Sequence, residues 1–273
     1  MKLSFDRALR QEIVDHLVRV VETTPLLSEP FPHFVVQGFF PSDVYRRMLS
    51  SLPAPNEYEP FAYEKHHQQN GESNRRRFQM TNVWLERLPA QNREFWFSIR
   101  SALGSEELKR AAFGKLAPGL AFRYAVPAAT AKSLPGYALP ELFHETKGYS
   151  IKPHPDTRKK VVTMQIALPH DDKQNAMGTE FYRRTANPLA LFREPRGFEI
   201  VKRMPFLPNT AYAFSVLNTF TLKSWHGRTE IAGECGQRNS LLNIWYEKPE
   251  LGNTDLVAEQ AALKISPGEV RAA

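Results

Sequence analysis

Residues 149–160, YSIKPHPDTRKK, decide how this chain folds. A His-Pro-Asp tripeptide among lysines fits a polar loop; at the end of a strand, the same tripeptide presents two metal-ligating side chains. The flanks choose between these readings. Upstream stand Tyr149, Ser150 and Ile151, and downstream runs Val161-Val162-Thr163-Met164-Gln165-Ile166, aromatic and β-branched residues that pack on a pleated surface. On an extended backbone His154 and Asp156, two apart, point to one face. Pro155 between them fixes the extended path and removes a backbone donor only at a strand end, where that is tolerated.

The same β character extends in both directions. From about Leu120 to Glu247 the chain alternates short apolar runs with Pro, Gly, Asn and Asp punctuation: LAFRYAV, GYSIKPH, KVVTMQIALP, TEFYRR, FEIVKRMPF, TAYAFSVL, TLKSWHGRTEI and RNSLLNIWYE. Eight such runs predict an antiparallel sandwich or barrel of the jelly-roll kind. Ahead of them the periodicity is helical. Ile13, Val14, Leu17, Val20 and Val21 share one face within residues 5–22; Val44, Met48 and Leu52 share another after the start signal Pro41-Ser42; and Trp96, Ile99 and Leu103 form a stripe within 84–112, broken at Gly104-Ser105. A short strand is expected at Phe34–Val36, a polar loop from about 54 to 78, and a last helix in NTDLVAEQAALKI capped by Asn253 or Thr254. The expected architecture is mainly β with flanking helices. An N-terminal helical lead-in, 1–118, packs on a β core, 119–249, and a C-terminal tail, 250–273, which the apolar pattern makes helical, completes a single unit.

Composition excludes several classes. No apolar run reaches the roughly 18 residues a membrane helix needs, and MKLSFDRALRQE has no apolar core for a secretory signal, so the expected address is the cytoplasm. A single cysteine, Cys235, rules out an internal disulfide framework. The formal charge of +7 is dispersed. Its densest run, Arg75-Arg76-Arg77, is expected in a solvated loop, because no nucleic-acid-binding signature accompanies it.

Candidate chemistry gathers around the tripeptide. His226, in TLKSWHGRTEI, lies on a later strand that sheet pairing could bring beside His154 and Asp156. Two imidazoles and one carboxylate leave coordination positions open and suit Fe(II) chemistry with dioxygen, although zinc accepts the same set. Twelve residues after His226 comes Arg238, which shares a strand face with Ser240; a guanidinium beside a hydroxyl is a carboxylate holder. A second His-x-Asp, His170 to Asp172, enters a polar turn and is expected to face solvent. His144 is expected to pack, Tyr149 to lie on the face opposite His154, and Arg228 to share the face of His226.

His-Pro-Asp flanked by lysines resembles the signature loop of a J-domain co-chaperone, but strand-like flanks contradict the helical hairpin such a loop requires. The combination of a His-x-Asp opening a β core, a distal His about seventy residues on and an Arg-x-Ser after it resembles the iron(II) and 2-oxoglutarate-dependent oxygenase family, in its bacterial prolyl-hydroxylase-like or small-molecule hydroxylase form. PFLPNTAYAFSVLNTFTLKSWHG and FPHFVVQGFFPSDVYRRMLSSLP are similar to stretches of bacterial members. The resemblance implies a double-stranded β-helix (jelly-roll, cupin-like) core, with His154, Asp156 and His226 binding iron and no catalytic residue beyond that centre. It also implies that Arg238, with Ser240, holds the distal carboxylate of 2-oxoglutarate. Fe(II), 2-oxoglutarate and O2 would be the cofactors, with oxidative decarboxylation to succinate and CO2 driving hydroxylation of an unactivated C–H bond. A carboxylate at position 156 implies hydroxylation rather than halogenation. The expected substrate is a small, polar or acidic molecule, with Arg123, Tyr149 and Arg228 as contacts. A cupin-like sugar isomerase or non-catalytic binding protein, and a prolyl-type protein hydroxylase, are the alternatives.

Overall fold

Strand pairing organises the molecule into two antiparallel sheets. The structure is a computed structural model and describes residues 5–61, 73–231 and 236–264. The larger sheet runs, in spatial order, β1 (His33–Gln37), β9 (Thr210–Ser215), β6 (Lys160–Ala167), β11 (Arg238–Tyr246), β4 (Tyr137–Glu145), β3 (Arg75–Gln79) and β2 (Glu59–Pro60). The smaller runs β5 (Ile151–His154), β10 (His226–Arg228), β7 (Glu180–Arg184) and β8 (Phe198–Arg203). From β4 onward the chain steps between them: large, small, large, small twice, large, small, large. β11 is inserted between β4 and β6, and β10 between β5 and β7. That winding is the double-stranded β-helix, or jelly roll.

Period-2 alternation explains why the large sheet is covered on both faces. On β6, Val162, Met164 and Ile166 join a core with Ala211 and Ala213 of β9 and Leu241 and Trp245 of β11. The helices α1 (Arg7–Thr23), α4 (Ala90–Leu103) and α5 (Glu106–Lys115) add Ile13, Leu17, Trp96, Ile99, Leu108 and Phe113 to this layer. The intervening residues Thr163, Gln165, Tyr212, Phe214 and Arg238 face the smaller sheet and line a cavity between the two. Strands buried on both faces read as nearly continuous apolar runs, which is how KVVTMQIA and TAYAFS appear in the sequence.

Several expectations hold at the level of elements. α2 (Ser42–Ser50) follows Pro41, the 104–105 break separates α4 from α5, and the side chain of Asn253 caps α7 (Thr254–Lys264), its Oδ1 accepting from the Asp255 and Leu256 amides. One short helix, α3 (Asn82–Leu85), lies between α2 and α4. Other expectations fail. LAFRYAV is not a strand: it belongs to α6 (Ala117–Tyr124), which has Pro118 in its first turn and stops at Ala125 with φ 52°. At Gly119 the helix presses so closely on β9 that an added Cβ would lie 2.0 Å from the Ser215 hydroxyl. The strand that opens the jelly roll is instead β4, YALPELFHE, whose Pro140 and two glutamates obscure its pattern. The expected polar loop contains β2 and β3, and the Arg75 run is a strand rather than a solvated loop, with Arg75 and Arg77 paired to Glu145 and Glu141. The rest of that loop, including His66 and His67, and also Cys235, lies outside the described residues. No helix among the described residues is long and apolar enough to cross a membrane.

Candidate metal centre and its basic wall

His154 ends β5 and His226 begins β10, and the two are directly opposed in the β5–β10 register. Their rings lie 4.5 Å apart, centroid to centroid. Gly227 permits this approach, since a Cβ there would sit 2.6 Å from the Ile151 carbonyl oxygen. Asp156 follows in the β5–β6 connection. One candidate ligand atom from each of the three residues lies within 4.8 Å of the others.

The surroundings set the protonation states. Nδ1 of His154 donates to the Lys152 carbonyl and Nδ1 of His226 to the Ser224 carbonyl, both at 2.9 Å. A carbonyl only accepts, so each Nε2 keeps its lone pair. Burial, then the neighbouring His226, brings the His154 imidazole down to about 4, and burial lowers His226 as well. Burial pushes the Asp156 carboxyl up, but Lys160, His226 and a Thr163 hydrogen bond together outweigh it and hold the group below the ordinary carboxylate range. Oδ1 accepts from Lys160 Nζ at 2.5 Å and Oδ2 from the Thr163 hydroxyl at 2.7 Å. Two neutral imidazoles and an ionised carboxylate are the donor set a divalent cation requires, and the nitrogen and oxygen donors suit Fe(II) or zinc. The residues fit a metal.

Beyond the cluster a cavity of about 110 Å³ continues toward β3 and β4. Its far wall is a cross-strand row of charges: Glu145 on β4 is directly opposed by Arg75 on one side and Arg238 on the other. Glu145 is buried and pairs with Arg238 and, at 3.2 Å, with Arg75. Arg238 also donates from Nε to the Met177 carbonyl at 2.9 Å, and its guanidinium lies 4.4 Å from the Phe206 ring centre. Burial raises the Glu145 carboxyl, yet Arg238, Arg75 and Arg228 together draw it below its usual value.

Of the residues singled out from the sequence, His154, Asp156, His226, Arg238, Tyr149 and Arg228 all line this cavity. Ser240 stands behind the wall, 3.4 Å from Arg238 Nη1 and 3.2 Å from the Gln165 amide. Tyr149 belongs to the turn before β5, so strand alternation does not govern it. It faces the cavity, and burial pushes its phenol up to about 12. Arg123 is the correction. Carried on α6, it lies outside the cavity lining and donates to the carbonyls of Lys160 (2.5 Å), Val216 (2.7 Å) and Arg158, and to Glu247 (2.6 Å). It braces the connection bearing Asp156 from behind. His144 packs against Tyr58 and pairs with the Asn239 side chain at 2.9 Å, and His170 is exposed. Sequence reasoning missed Glu145, Arg75, Lys160, Thr163 and Gln165. The signal for the last two was present, as polar residues at alternate positions of an apolar strand.

Fold and site together define a double-stranded β-helix protein with a two-histidine, one-carboxylate cluster between its sheets. No known family's sequence model matches the chain, and no curated protein matches it. Among solved structures the chain is similar to a prolyl-4-hydroxylase from Pseudomonas putida, with 13% identity over 86% of this chain and 99% of that one and a TM-score of 0.48. It is also similar to the non-heme alpha-ketoglutarate-dependent epimerase SnoN of nogalamycin biosynthesis (12%, 86% and 83%, 0.47) and to AviO1 from Streptomyces viridochromogenes (14%, 90% and 96%, 0.45). At this distance such likenesses carry no functional inference, which rests on the residues themselves.

Proposed function

We propose that the protein is an Fe(II)- and 2-oxoglutarate-dependent oxygenase that hydroxylates a C–H bond of a small, polar or acidic molecule. The reading is carried by one juxtaposition: a His154/Asp156/His226 cluster in metal-ready protonation states opening onto a cavity walled by three arginines. His154, Asp156 and His226 would hold the iron. Bound there, iron would supply dioxygen activation coupled to oxidative decarboxylation, with the balance 2-oxoglutarate + O2 + R–H giving succinate + CO2 + R–OH.

The chain's own residues supply the rest. Lys160 and Thr163 fix the Asp156 carboxylate and keep it ionised. The Lys152 and Ser224 carbonyls fix the imidazole tautomers. The basic wall, with Arg238 and Ser240 within it, favours a dicarboxylate over a neutral ligand. Asp156 and His226 are buried between the two sheets, which limits the solvent that reaches them.

The test is anaerobic loading with Fe(II) and 2-oxoglutarate, followed by admission of air. A metal-to-ligand absorption band and then slow succinate release are expected even without the primary substrate. A protein that binds iron but gives neither band nor succinate would instead fit a cupin-like isomerase or binding protein. The primary substrate would be sought by mass spectrometry, as a metabolite gaining one oxygen in step with succinate release.

A further inference from the structure

Among the described residues, the lining of the cavity holds more cationic than anionic side chains. Arg75, Arg228, Arg238 and Lys160 line it, against only Asp156 and Glu145. Lys160 is taken up by Asp156, so among the described lining residues Glu145 is the carboxylate left to three guanidinium groups; Glu180, outside the lining, acts on Arg228 through its charge without a hydrogen bond to it. Buried like charges are costly unless something neutralises them.

The three are not equally available. Among the described residues Arg75 Nε, like that of Arg228, makes no hydrogen bond, but it is held 3.2 Å from the Glu145 carboxylate in an ion pair, and its guanidinium lies against the Phe143 ring at 4.3 Å. Arg238 points its donors at protein groups on every side: Nε at Met177, Nη1 at Glu145 and Ser240. With the Gln165 amide turned to satisfy its neighbours, Gln165 Oε1 accepts from Arg238 Nη2 at 2.8 Å.

Arg228 differs. Its Nη1 donates to the carbonyls of Met177 and, at 3.1 Å, Gly178. Among the described residues its Nε, which is buried, has no hydrogen-bond partner and Nη2 makes no hydrogen bond, although the residue is only 6% exposed. Nε and Nη2 form the edge of a guanidinium that takes a carboxylate through two parallel hydrogen bonds. A buried donor left unmatched costs the full desolvation penalty until a ligand completes it. Arg228 lies two residues beyond His226 on β10, a rise of roughly 6–7 Å along the strand, and both line the same cavity.

We propose that the ligand carboxylate remote from the metal cluster docks on the Nε–Nη2 edge of Arg228, with Arg238 and Glu145 acting as the brace that shapes the wall. This rests on the oxygenase reading for the ligand's identity as a 2-oxo dicarboxylate, and it shifts the principal carboxylate contact from Arg238 to Arg228. The Met177 carbonyl, which accepts from both guanidiniums, sets the spacing between brace and docking edge.

Pyruvate isolates the interaction, because it keeps the 2-oxo acid end and lacks the remote carboxylate. Fe(II)-loaded protein is titrated anaerobically with 2-oxoglutarate and with pyruvate, following the absorption band, for wild type, Arg228→Gln, Arg228→Lys and Arg238→Gln. Metal stoichiometry serves as the check on folding. Arg228→Gln should raise the Kd for 2-oxoglutarate about thirtyfold or more while leaving that for pyruvate unchanged. Arg228→Lys, which keeps the charge and loses the fork, should fall between. Arg238→Gln should retain the preference for 2-oxoglutarate. Preference lost in Arg238→Gln and intact in Arg228→Gln overturns the assignment. If wild type gives no band with either acid, the oxygenase reading falls by itself. The docking edge is then judged by thermal stabilisation of metal-free protein with succinate, which Arg228→Gln must abolish for the edge to stand.

Discussion

Replacing Glu145 by glutamine removes the carboxylate that, among the described lining residues, pairs with both Arg75 and Arg238 and acts on Arg228. Glu145 is 2% exposed and contacts Arg238 and Arg75, with Arg228 close enough to influence it. Deleting one partner of a buried ion pair costs about 3–5 kcal/mol. In a chain of this length that corresponds to a fall of about 6–20 °C in Tm, at about 2–4 °C per kcal/mol. The loss must depend on pH in a definite sense. Burial raises the Glu145 carboxyl, but the arginines bring it below its ordinary value in the folded state. Its contribution is therefore complete above the unfolded carboxylate value of about 4.3 and disappears as pH falls through the folded one. Melting curves of wild type and Glu145→Gln at pH 7, and again well below pH 4, should show a wide gap that narrows on acidification. Succinate sharpens the test. The variant cavity carries one more uncompensated positive charge, so a dicarboxylate should stabilise Glu145→Gln more than wild type, by mass action on the folded state. A gap under about 2 °C at neutral pH, less than ~1 kcal/mol, or an equal succinate response in both proteins, would refute a charge-compensating role for Glu145.

Three further outcomes are expected. His154→Ala and Asp156→Ala should lose stoichiometric iron, measured by elemental analysis after Fe(II) loading and desalting, whereas His170→Ala, at an exposed turn, should keep it. Gly178→Ala would place a Cβ 1.6 Å from the Met204 carbonyl oxygen; a backbone neighbour cannot move aside cheaply, so a loss of about 3 kcal/mol, the upper end of the usual overpacking cost, is expected in urea denaturation. The folded state keeps His154 neutral down to about 4, while the unfolded chain protonates near 6.5. Chelator-treated wild type should therefore lose stability as pH falls from about 6.5 toward 4, because the unfolded state binds the extra proton. His154→Gln should flatten that part of the profile.

The metal cluster was legible because its information is local. His154 and Asp156 are two apart beside a β-branched run, and His226 stands in another such run, so period-2 geometry and residue chemistry sufficed. β4 was not legible, because Pro140 and two glutamates inside YALPELFHE break the strand pattern that burial between β3 and β11 permits. Arg123 was misplaced for the complementary reason. LAFRYAV alternates like a strand, but Pro118 starts a helix two residues earlier, and the close seat of Gly119 on β9 keeps it one. Glu145 could not be assigned without the register, since it meets Arg238 across 93 positions of sequence.

That register also explains why Arg228 carries the spare charge. Arg75, Glu145 and Arg238 are mutually opposed residues on three adjacent strands of one sheet, a row of alternating sign in which the carboxylate serves a cation on each side. Within the large sheet the row leaves both arginines held by the same central group. Arg228 arrives from the facing sheet, where its strand neighbours are Gly227 and His226, and the fold offers it carbonyl oxygens rather than a carboxylate as hydrogen-bond partners. A jelly roll that needed only stability would lose little by placing an apolar residue there, since an uncompensated buried guanidinium is a net cost. The cost becomes an advantage only when an anion enters between the sheets. Arg228 is then the one guanidinium of the wall whose open edge can close on the anion without first breaking an ion pair.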